Sequence, residues 1–208
     1  QAIVYSLLLF FVKRHSIKFK IDFVTLKRLL IFGGGYTFSQ ILNFLARKLD
    51  YIIVGRLLGA SSLGIYSKAF ALMNAPNNAV GTVMSKVLFV SYSKIQDTRV
   101  RLTSALEKSY TLVMNLAVPF SAFGVILAPE IVYFLLGPKW NEAIVPFQIL
   151  VAFMFCRVGY KIGGTLLKGI GKVYILSFTQ FLYLCLVFLG AFIGSNYGIQ
   201  GVALGVSI

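Results

Sequence analysis

Acidic residues, histidine and cysteine are all scarce in this chain. Among 208 residues there are 6 Asp and Glu against 20 Lys and Arg, together with one histidine and two cysteines. His15, Cys156 and Cys185 lie far apart in sequence and form no CxxC or Cys/His motif, which excludes the usual zinc and redox patterns. We therefore predict that the chain is not an enzyme and has neither a metal site nor a cofactor.

Charged residues of both signs make up only 12% of the chain, about half the share in a soluble domain. Hydrophobic residues account for 58%, and the mean hydropathy is +0.85. This composition predicts an integral membrane protein. The net charge of +14 does not indicate nucleic-acid binding, because the basic residues alternate with apolar spans instead of clustering on one solvated face.

Hydrophobic windows separated by Gly and Pro predict an all-α polytopic membrane protein. Five complete transmembrane helices are expected at 29–58, 62–91, 103–135, 143–168 and 172–194. The apolar runs at 1–12 and from 199 onward are shorter than the ~20 residues that span a bilayer, so we expect two truncated helices of a longer protein. The turns between helices are predicted at Gly59, Gly137-Pro138, Gly169 to Gly171 and Asn196 to Gly198.

Basic residues are distributed unevenly among the predicted loops. The loops 13–28, 92–102 and 168–172 together carry 11 Lys and Arg, whereas the three alternate loops carry 1. By the positive-inside rule, the basic loops face the cytosol. The chain should accordingly lie in a bacterial cytoplasmic (inner) membrane, surrounded by membrane lipids.

Six cations nevertheless fall inside apolar segments: Arg47, Lys48, Arg56, Lys68, Arg157 and Lys161. A charge near a bilayer centre costs roughly 2.5 to 3.5 kcal/mol on insertion scales, so such residues usually face water or a ligand. We expect Lys48, Arg56 and Lys161 to reach the membrane interfaces. The intramembrane acids Asp50 and Glu130 are outnumbered by these cations, so the ligand is predicted to be anionic.

Two regular stripes of polar residues run along the predicted helices. The first polar stripe has spacings of four, three, four and three residues and consists of Tyr36, Gln40, Asn43, Arg47 and Asp50. The second polar stripe is spaced four, three and four and consists of Arg157, Lys161, Gly164 and Lys168. At helical periodicity each set lies on one face, which cannot face lipid. A third, looser group includes Asn74 and Asn77.

The candidate substrate-binding residues follow from these patterns and are Arg47, Arg157, Asn43, Gln40, Lys68, Asn74 and Asn77. Asp50 has two open interpretations. It either neutralises Arg47, three residues away on the same helix, or acts as a protonatable or ion-binding coupling carboxylate, with no ion assigned. Three prolines each remove a backbone donor within a predicted span: Pro76, Pro119 and Pro129. Each is interpreted either as an inert kink or as a break that lets the protein move.

Several segments together resemble bacterial Wzx-type oligosaccharide flippases, the polysaccharide exporter branch of the multidrug/oligosaccharidyl-lipid/polysaccharide superfamily. The matching segments are Leu49–Gly59 (LDYIIVGRLLG), Leu63–Phe70 (LGIYSKAF) with Pro76, Ala128-Pro129-Glu130, Leu136–Trp140 (LGPKW) and Tyr197–Ala203 (YGIQGVA). The segment Val87–Asp97 is similar to a cytosolic turn of the family, although the family usually has a proline where this chain has Val90.

The resemblance implies an alternating-access transporter with two six-helix lobes. Residues 1–28 would be the end of the last helix of the first lobe and a basic cytosolic linker, and 29–208 most of the second lobe. The implied substrate is an undecaprenyl-diphosphate-linked oligosaccharide, flipped across the membrane through a cationic cavity for polysaccharide export. A complex with a polysaccharide polymerase is a further expectation.

Other functions fit the sequence less well. A lipid II-type flippase shares the anionic lipid and the architecture, and other exporters of the superfamily share the fold. A drug exporter would carry intramembrane carboxylates for cationic substrates, whereas the intramembrane charges of this chain are mostly positive. A membrane-embedded glycan polymerase or ligase would need a catalytic carboxylate, a metal site or a large external loop, yet the longest predicted external loop, around 136–142, is short.

Overall fold

The computed structural model describes residues 22–207, apart from the side chains at positions 28, 77, 79, 80 and 83. Predictions for the partial helix at 1–12, for His15 and for most of the basic linker lie outside the described residues. All regular structure from 22 to 207 is helical. The α-helices are α1 (Phe23–Leu57), α2 (Gly59–Lys94), α3 (Arg99–Ile126), α4 (Ala128–Leu136), α5 (Ile144–Ala152), α6 (Met154–Gly169), α7 (Val173–Gly194) and α8 (Gly198–Ser207), and short 3-10 turns cover Pro138–Ala143 and Ser195–Tyr197.

The chain divides after Gly33 into two compact units, Gln1–Gly33 and Gly34–Ile208. In the first unit, Asp22 caps the start of α1. Its carboxylate accepts hydrogen bonds from the Thr25 hydroxyl (2.6 Å) and the Val24 N–H (3.1 Å). These bonds, the Thr25 bond first, lower the pKa of Asp22 below its ordinary value. Because Asp22 satisfies the first free N–H groups, α1 begins at Phe23, earlier than the predicted position 29.

The predicted turns coincide with helix ends. Gly59 and Gly137 have φ of 88° and 86°, in the left-handed region that favours glycine over residues with a side chain. Gly171 and Gly198, both with φ of 74°, mark the two later turns. Local turn chemistry alone was therefore enough to predict where these helices begin and end.

Two of the predicted helices are each broken into two. The predicted 103–135 helix breaks at Leu127, because Pro129 at the start of α4 has no N–H to donate to the Val125 carbonyl. Instead the Gln148 Nε2 of α5 donates to that carbonyl at 3.2 Å. The predicted 143–168 helix breaks at Phe153, where the chain bends by 45°. Pro76 and Pro119, by contrast, lie inside unbroken α2 and α3.

In the second unit, buried side chains from most of the helices form one core, and many large apolar side chains remain exposed. Leu150, Met73 and Val202 are among the fully buried core residues. The exposed residues include Phe178 and Phe192 of α7 and Leu116 of α3. Apolar surface of this extent on helices suits contact with lipid chains.

Helices α7 and α8 approach each other so closely that their backbones touch at paired glycines. A Cβ added to Gly190 would collide with the Gly205 backbone, and a Cβ added to Gly194 would collide with the Gly201 backbone. Both helices carry these glycines four residues apart, the small-xxx-small pattern that permits close packing of transmembrane helices. The α7–α8 pair is therefore a tightly packed hairpin.

Three described segments are long and apolar enough to cross a membrane: Phe23–Leu57, Arg99–Ile126 and Val173–Ser207. A fourth is added if the bent pair Pro138–Ala152 and Met154–Gly169 forms one span. Helix α2 is not among them, because asparagines interrupt its apolar sequence. The all-helical membrane class is confirmed for the described residues, whereas five complete spans and a two-lobe arrangement stay predictions.

Candidate functional site

The two polar stripes predicted from the sequence face each other, one on α1 and the other on α6. The paired positions are Tyr36 with Lys168, Arg47 with Lys161, and Asp50 with Arg157. Numbers rise along α1 as they fall along α6, so the two helices run antiparallel. Residues predicted separately as two polar faces therefore line one interface.

Three cations of this interface are close enough for their charges to interact. The charged groups that act on Lys161 are Arg47 and Lys168, both positive. Lys168 also places its Nζ 5.4 Å from the centre of the Tyr36 ring, a cation–π contact. Arg47 is exposed, and Lys161 and Lys168 are half-buried. We call Arg47, Lys161 and Lys168 the cationic cluster; like charges on facing helices create a positive potential that favours an anion.

An amide pair joins α1 to α7 beside the cationic cluster. The Asn43 Nδ2 donates a 3.0 Å hydrogen bond to the Gln180 Oε1. Gln180 is only 7% exposed, and Asn43 is half-buried. Nearby, the Ser177 hydroxyl of α7 donates to the Gly35 carbonyl at 2.8 Å, which holds the same two helices together.

Two tyrosines connect α6 to α7 at the same level. The rings of Tyr160 and Tyr183 are stacked, with centres 5.2 Å apart and planes 25° apart. Tyr160 precedes Lys161 directly, and Tyr183 lies three residues after Gln180 on the same helix. The stacked tyrosines therefore lie on the same helices as the amide pair and the cationic cluster, within one turn of Gln180 and of Lys161.

Asp50 is buried at the end of the first polar stripe, with 1% of its surface exposed. Its Oδ2 accepts a hydrogen bond from the Tyr66 hydroxyl (2.9 Å), and its Oδ1 accepts one from the Tyr51 N–H (2.8 Å). The cation that acts on it is Arg157 of α6. Arg157 is therefore the cation that acts on Asp50, whereas neutralisation of Arg47 is one of the two interpretations that their spacing of three residues left open.

Arg157 contacts two other helices. Its Nη2 donates to the Val206 carbonyl of α8 at 3.0 Å, and its guanidinium lies 5.2 Å from the centre of the Phe70 ring of α2. Its Nε is buried and has no hydrogen-bond partner within residues 22–207. An unpaired buried donor on a charged group is costly to the fold.

The other predicted site residues lie apart from this interface or contribute less to it. Lys68 is exposed at 5.5 Å from the centre of the Trp140 ring, next to the Pro138–Ala143 turn. Gln40 is exposed on α1, and Asn74 is half-buried on α2. The side chain of Asn77 lies outside the described residues. These positions bring Asn43, Arg47, Asp50 and Arg157 into one interface but leave Lys68 at a different place.

Four residues of the interface were missed or undervalued from the sequence: Lys161, Gln180, Tyr66 and Tyr183. Lys161 was expected at a membrane interface, although its place in the second polar stripe already indicated otherwise. Gln180 had a usable signal, because it is the only amide side chain in the 22 residues of α7. Tyr66 stood only as part of the matching segment Leu63–Phe70, and Tyr183 gave no signal, since tyrosines are common in membrane helices.

Sequence comparisons place this chain in a family. The family described as "Polysaccharide biosynthesis protein" matches residues 1–145. The chain is 30% identical over 181 residues to the lipopolysaccharide biosynthesis protein WzxC of Escherichia coli K12, a match that covers 85% of the chain and 36% of that protein. The chain therefore belongs to the polysaccharide biosynthesis protein family, and the resemblance to Wzx-type flippases is confirmed.

Further relatives come from other bacteria. The teichuronic acid biosynthesis protein TuaB of Bacillus subtilis 168 is 25% identical over 162 residues, covering 74% of the chain and 32% of that protein. The succinoglycan biosynthesis transport protein ExoT of Rhizobium meliloti 1021 is 29% identical over 136 residues, covering 65% of the chain and 27% of that protein. The chain thus spans about a third of the length of these relatives. No solved structure matches it significantly.

Proposed function

We propose that the protein containing this chain flips lipid-linked oligosaccharide diphosphates across the bacterial cytoplasmic membrane during polysaccharide export. The observation that carries the proposal is the cationic cluster, in which Lys161 is flanked by the positive charges of Arg47 and Lys168. Such a cluster inside apolar helices is stable only with water or an anion nearby. A diphosphate supplies several acceptor oxygens for charge-assisted hydrogen bonds.

The similar proteins support the choice of substrate class. Their printed names refer to lipopolysaccharide, teichuronic acid and succinoglycan, and that of ExoT includes transport. These polymers differ in their sugars, so the feature they could share is the lipid diphosphate carrier. A cationic cluster would bind that carrier whatever sugar is attached.

Asp50 and Arg157 have a different role in this proposal. Arg157 would act on the substrate through its positive charge, which is held in place by Asp50, Phe70 and Val206. Asp50 remains the candidate coupling carboxylate, because a change in its protonation would change the balance of charge beside Arg157. Movement at the Phe153 break, four residues before Arg157, would alter the same contacts during alternating access.

The proposal is tested by alanine substitution of the cationic cluster in the full-length protein, produced in a strain that lacks the native gene. Arg47→Ala and Lys161→Ala are each expected to lower surface polysaccharide by roughly ten-fold, since each removes charge-assisted hydrogen bonds to the diphosphate. Arg47→Lys should retain part of the export, because lysine keeps the charge without the two-pronged guanidinium. Export is measured as polysaccharide per unit of membrane protein.

Lys86→Ala is the matched control, since Lys86 is an exposed cation of α2 outside both polar stripes. It should leave export unchanged. Normal export by the Arg47→Ala and Lys161→Ala variants at normal protein abundance would contradict the proposed anion site.

A further inference from the structure

We infer that Asn43, Gln180, Tyr160 and Tyr183 form a sugar-binding subsite for the sugar that adjoins the diphosphate. We call these four residues the amide–tyrosine cluster. The inference rests on the proposed function and deepens it, because it assigns the oligosaccharide part of the substrate to residues distinct from those that bind the phosphates. None of the four is charged at neutral pH, which suits a neutral ligand.

Two contacts and the sequence place the cluster beside the cationic cluster. Asn43 of α1 bonds Gln180 of α7, and Tyr160 of α6 stacks on Tyr183 of α7. Both α1 and α6 are therefore tied to α7. Arg47 follows Asn43 by one turn of α1, and Lys161 follows Tyr160 directly on α6. Asn43 and Arg47 are one helical turn apart, about 6 Å, a separation that suits a sugar ring and the diphosphate attached to it.

The amide pair leaves hydrogen-bonding atoms available. Because Asn43 donates to Gln180, the Oδ1 of Asn43 and the Nε2 of Gln180 remain as one acceptor and one donor. In the described range the buried polar side-chain atoms that lack a partner are only Ser121 Oγ and Arg157 Nε, so these two amide atoms are not sealed in the core. An adjacent acceptor and donor match neighbouring sugar hydroxyls, which both donate and accept.

The tyrosines supply the apolar part of the subsite. Each ring uses one face for the Tyr160–Tyr183 stack, and Tyr160 is still 37% exposed. The negative face of an aromatic ring attracts the partly positive C–H groups on one side of a pyranose ring. Tyr183 is partly buried against the hydrophobic core, which holds its ring in place, and Gln180 lies one turn earlier on the same helix. The arrangement therefore offers both kinds of contact that sugars use.

The test is equilibrium binding to the purified full-length protein in lipid nanodiscs. The probes are a short-chain prenyl diphosphate and the same lipid bearing glucose, galactose, N-acetylglucosamine or N-acetylgalactosamine. The wild-type protein should bind at least one sugar-bearing lipid more tightly than the bare lipid. Tyr160→Leu and Gln180→Leu should each reduce this sugar-dependent gain by roughly five- to ten-fold and leave binding of the bare lipid unchanged.

Three variants serve as controls. Tyr160→Phe keeps the ring and should keep most of the gain, whereas Tyr133→Leu and Gln96→Leu replace exposed residues elsewhere and should change nothing. The inference is overturned if no sugar-bearing lipid binds more tightly than the bare one, or if Tyr160→Leu and Gln180→Leu weaken both kinds of lipid equally. Failure of the wild-type protein to bind even the bare lipid would overturn the proposed function, and the sugar assignment with it.

Discussion

At the scale of single residues, Asp50 shows how a charge is accommodated inside this apolar chain. A buried carboxylate is tolerated when hydrogen bonds and an opposite charge replace water. Asp50 has both, since the Tyr66 hydroxyl and the Tyr51 N–H donate to it and Arg157 supplies the charge. These contacts come from three helices, so the stability of this part of the fold depends on the charge balance.

A double-mutant comparison identifies the partner of Asp50. Asp50→Ala should destabilise the full-length protein by about 3 kcal/mol, because it leaves Arg157 uncompensated in an apolar setting. Adding Arg157→Gln should recover part of that loss, whereas adding Arg47→Gln should not. The measurement is thermal unfolding in detergent. If Arg47→Gln recovered the lost stability and Arg157→Gln did not, the partner of Asp50 would be Arg47, as their spacing suggests.

At the scale of helices, the break between α3 and α4 depends on a single side chain of α5. Pro129 cannot donate to the Val125 carbonyl, and the Gln148 amide takes that place. The amide thereby ties α5 to the point where the chain bends. Breaks of this kind are stable inside a membrane because a neighbouring group satisfies the freed backbone.

Gln148→Leu should therefore destabilise the protein by about 1 to 2 kcal/mol, since the Val125 carbonyl loses its donor. Adding Pro129→Ala should reverse much of this loss, because alanine has an N–H that can donate to the same carbonyl. Thermal unfolding of both variants measures the effect. If the double variant were less stable than Gln148→Leu alone, the carbonyl would not be the reason for the loss.

The helices and the polar faces could be predicted from the sequence, but their pairing could not. Glycine turns gave the ends near Gly59 and Gly137, and periodicity gave both polar stripes. The bend at Phe153 carries no proline of its own and was missed. Contacts such as Asn43 with Gln180 join residues 137 positions apart, and periodicity on one helix carries no information about the neighbour that it faces.

At the scale of the whole molecule, the distribution of basic loops predicts orientation. Arg99 begins α3, and Lys139 follows α4. The 28 residues of α3 measure about 42 Å, enough to cross a bilayer between the two positions. The two positions therefore lie in loops that are predicted to face opposite sides of the membrane.

Single cysteines are introduced at 99 and 139 in a full-length protein in which Cys156 and Cys185 are replaced by serine. An impermeant thiol reagent applied to intact cells should label position 139, with position 99 labelled only after lysis. The positive-inside rule gives this expectation. Labelling at 99 before lysis, with no labelling at 139, would reverse the topology.

The proposed transport of a diphosphate lipid by the cationic cluster is tested by reconstituting the full-length protein in liposomes. A fluorescent prenyl diphosphate sugar is placed in both leaflets, and the fraction that an external quencher reaches is followed over time. The wild-type protein should expose the inner-leaflet lipid, and Arg47→Ala should slow that exposure by roughly ten-fold. A neutral prenyl sugar should not be moved by either protein. Equal rates for the wild type, Arg47→Ala and protein-free liposomes would contradict the account.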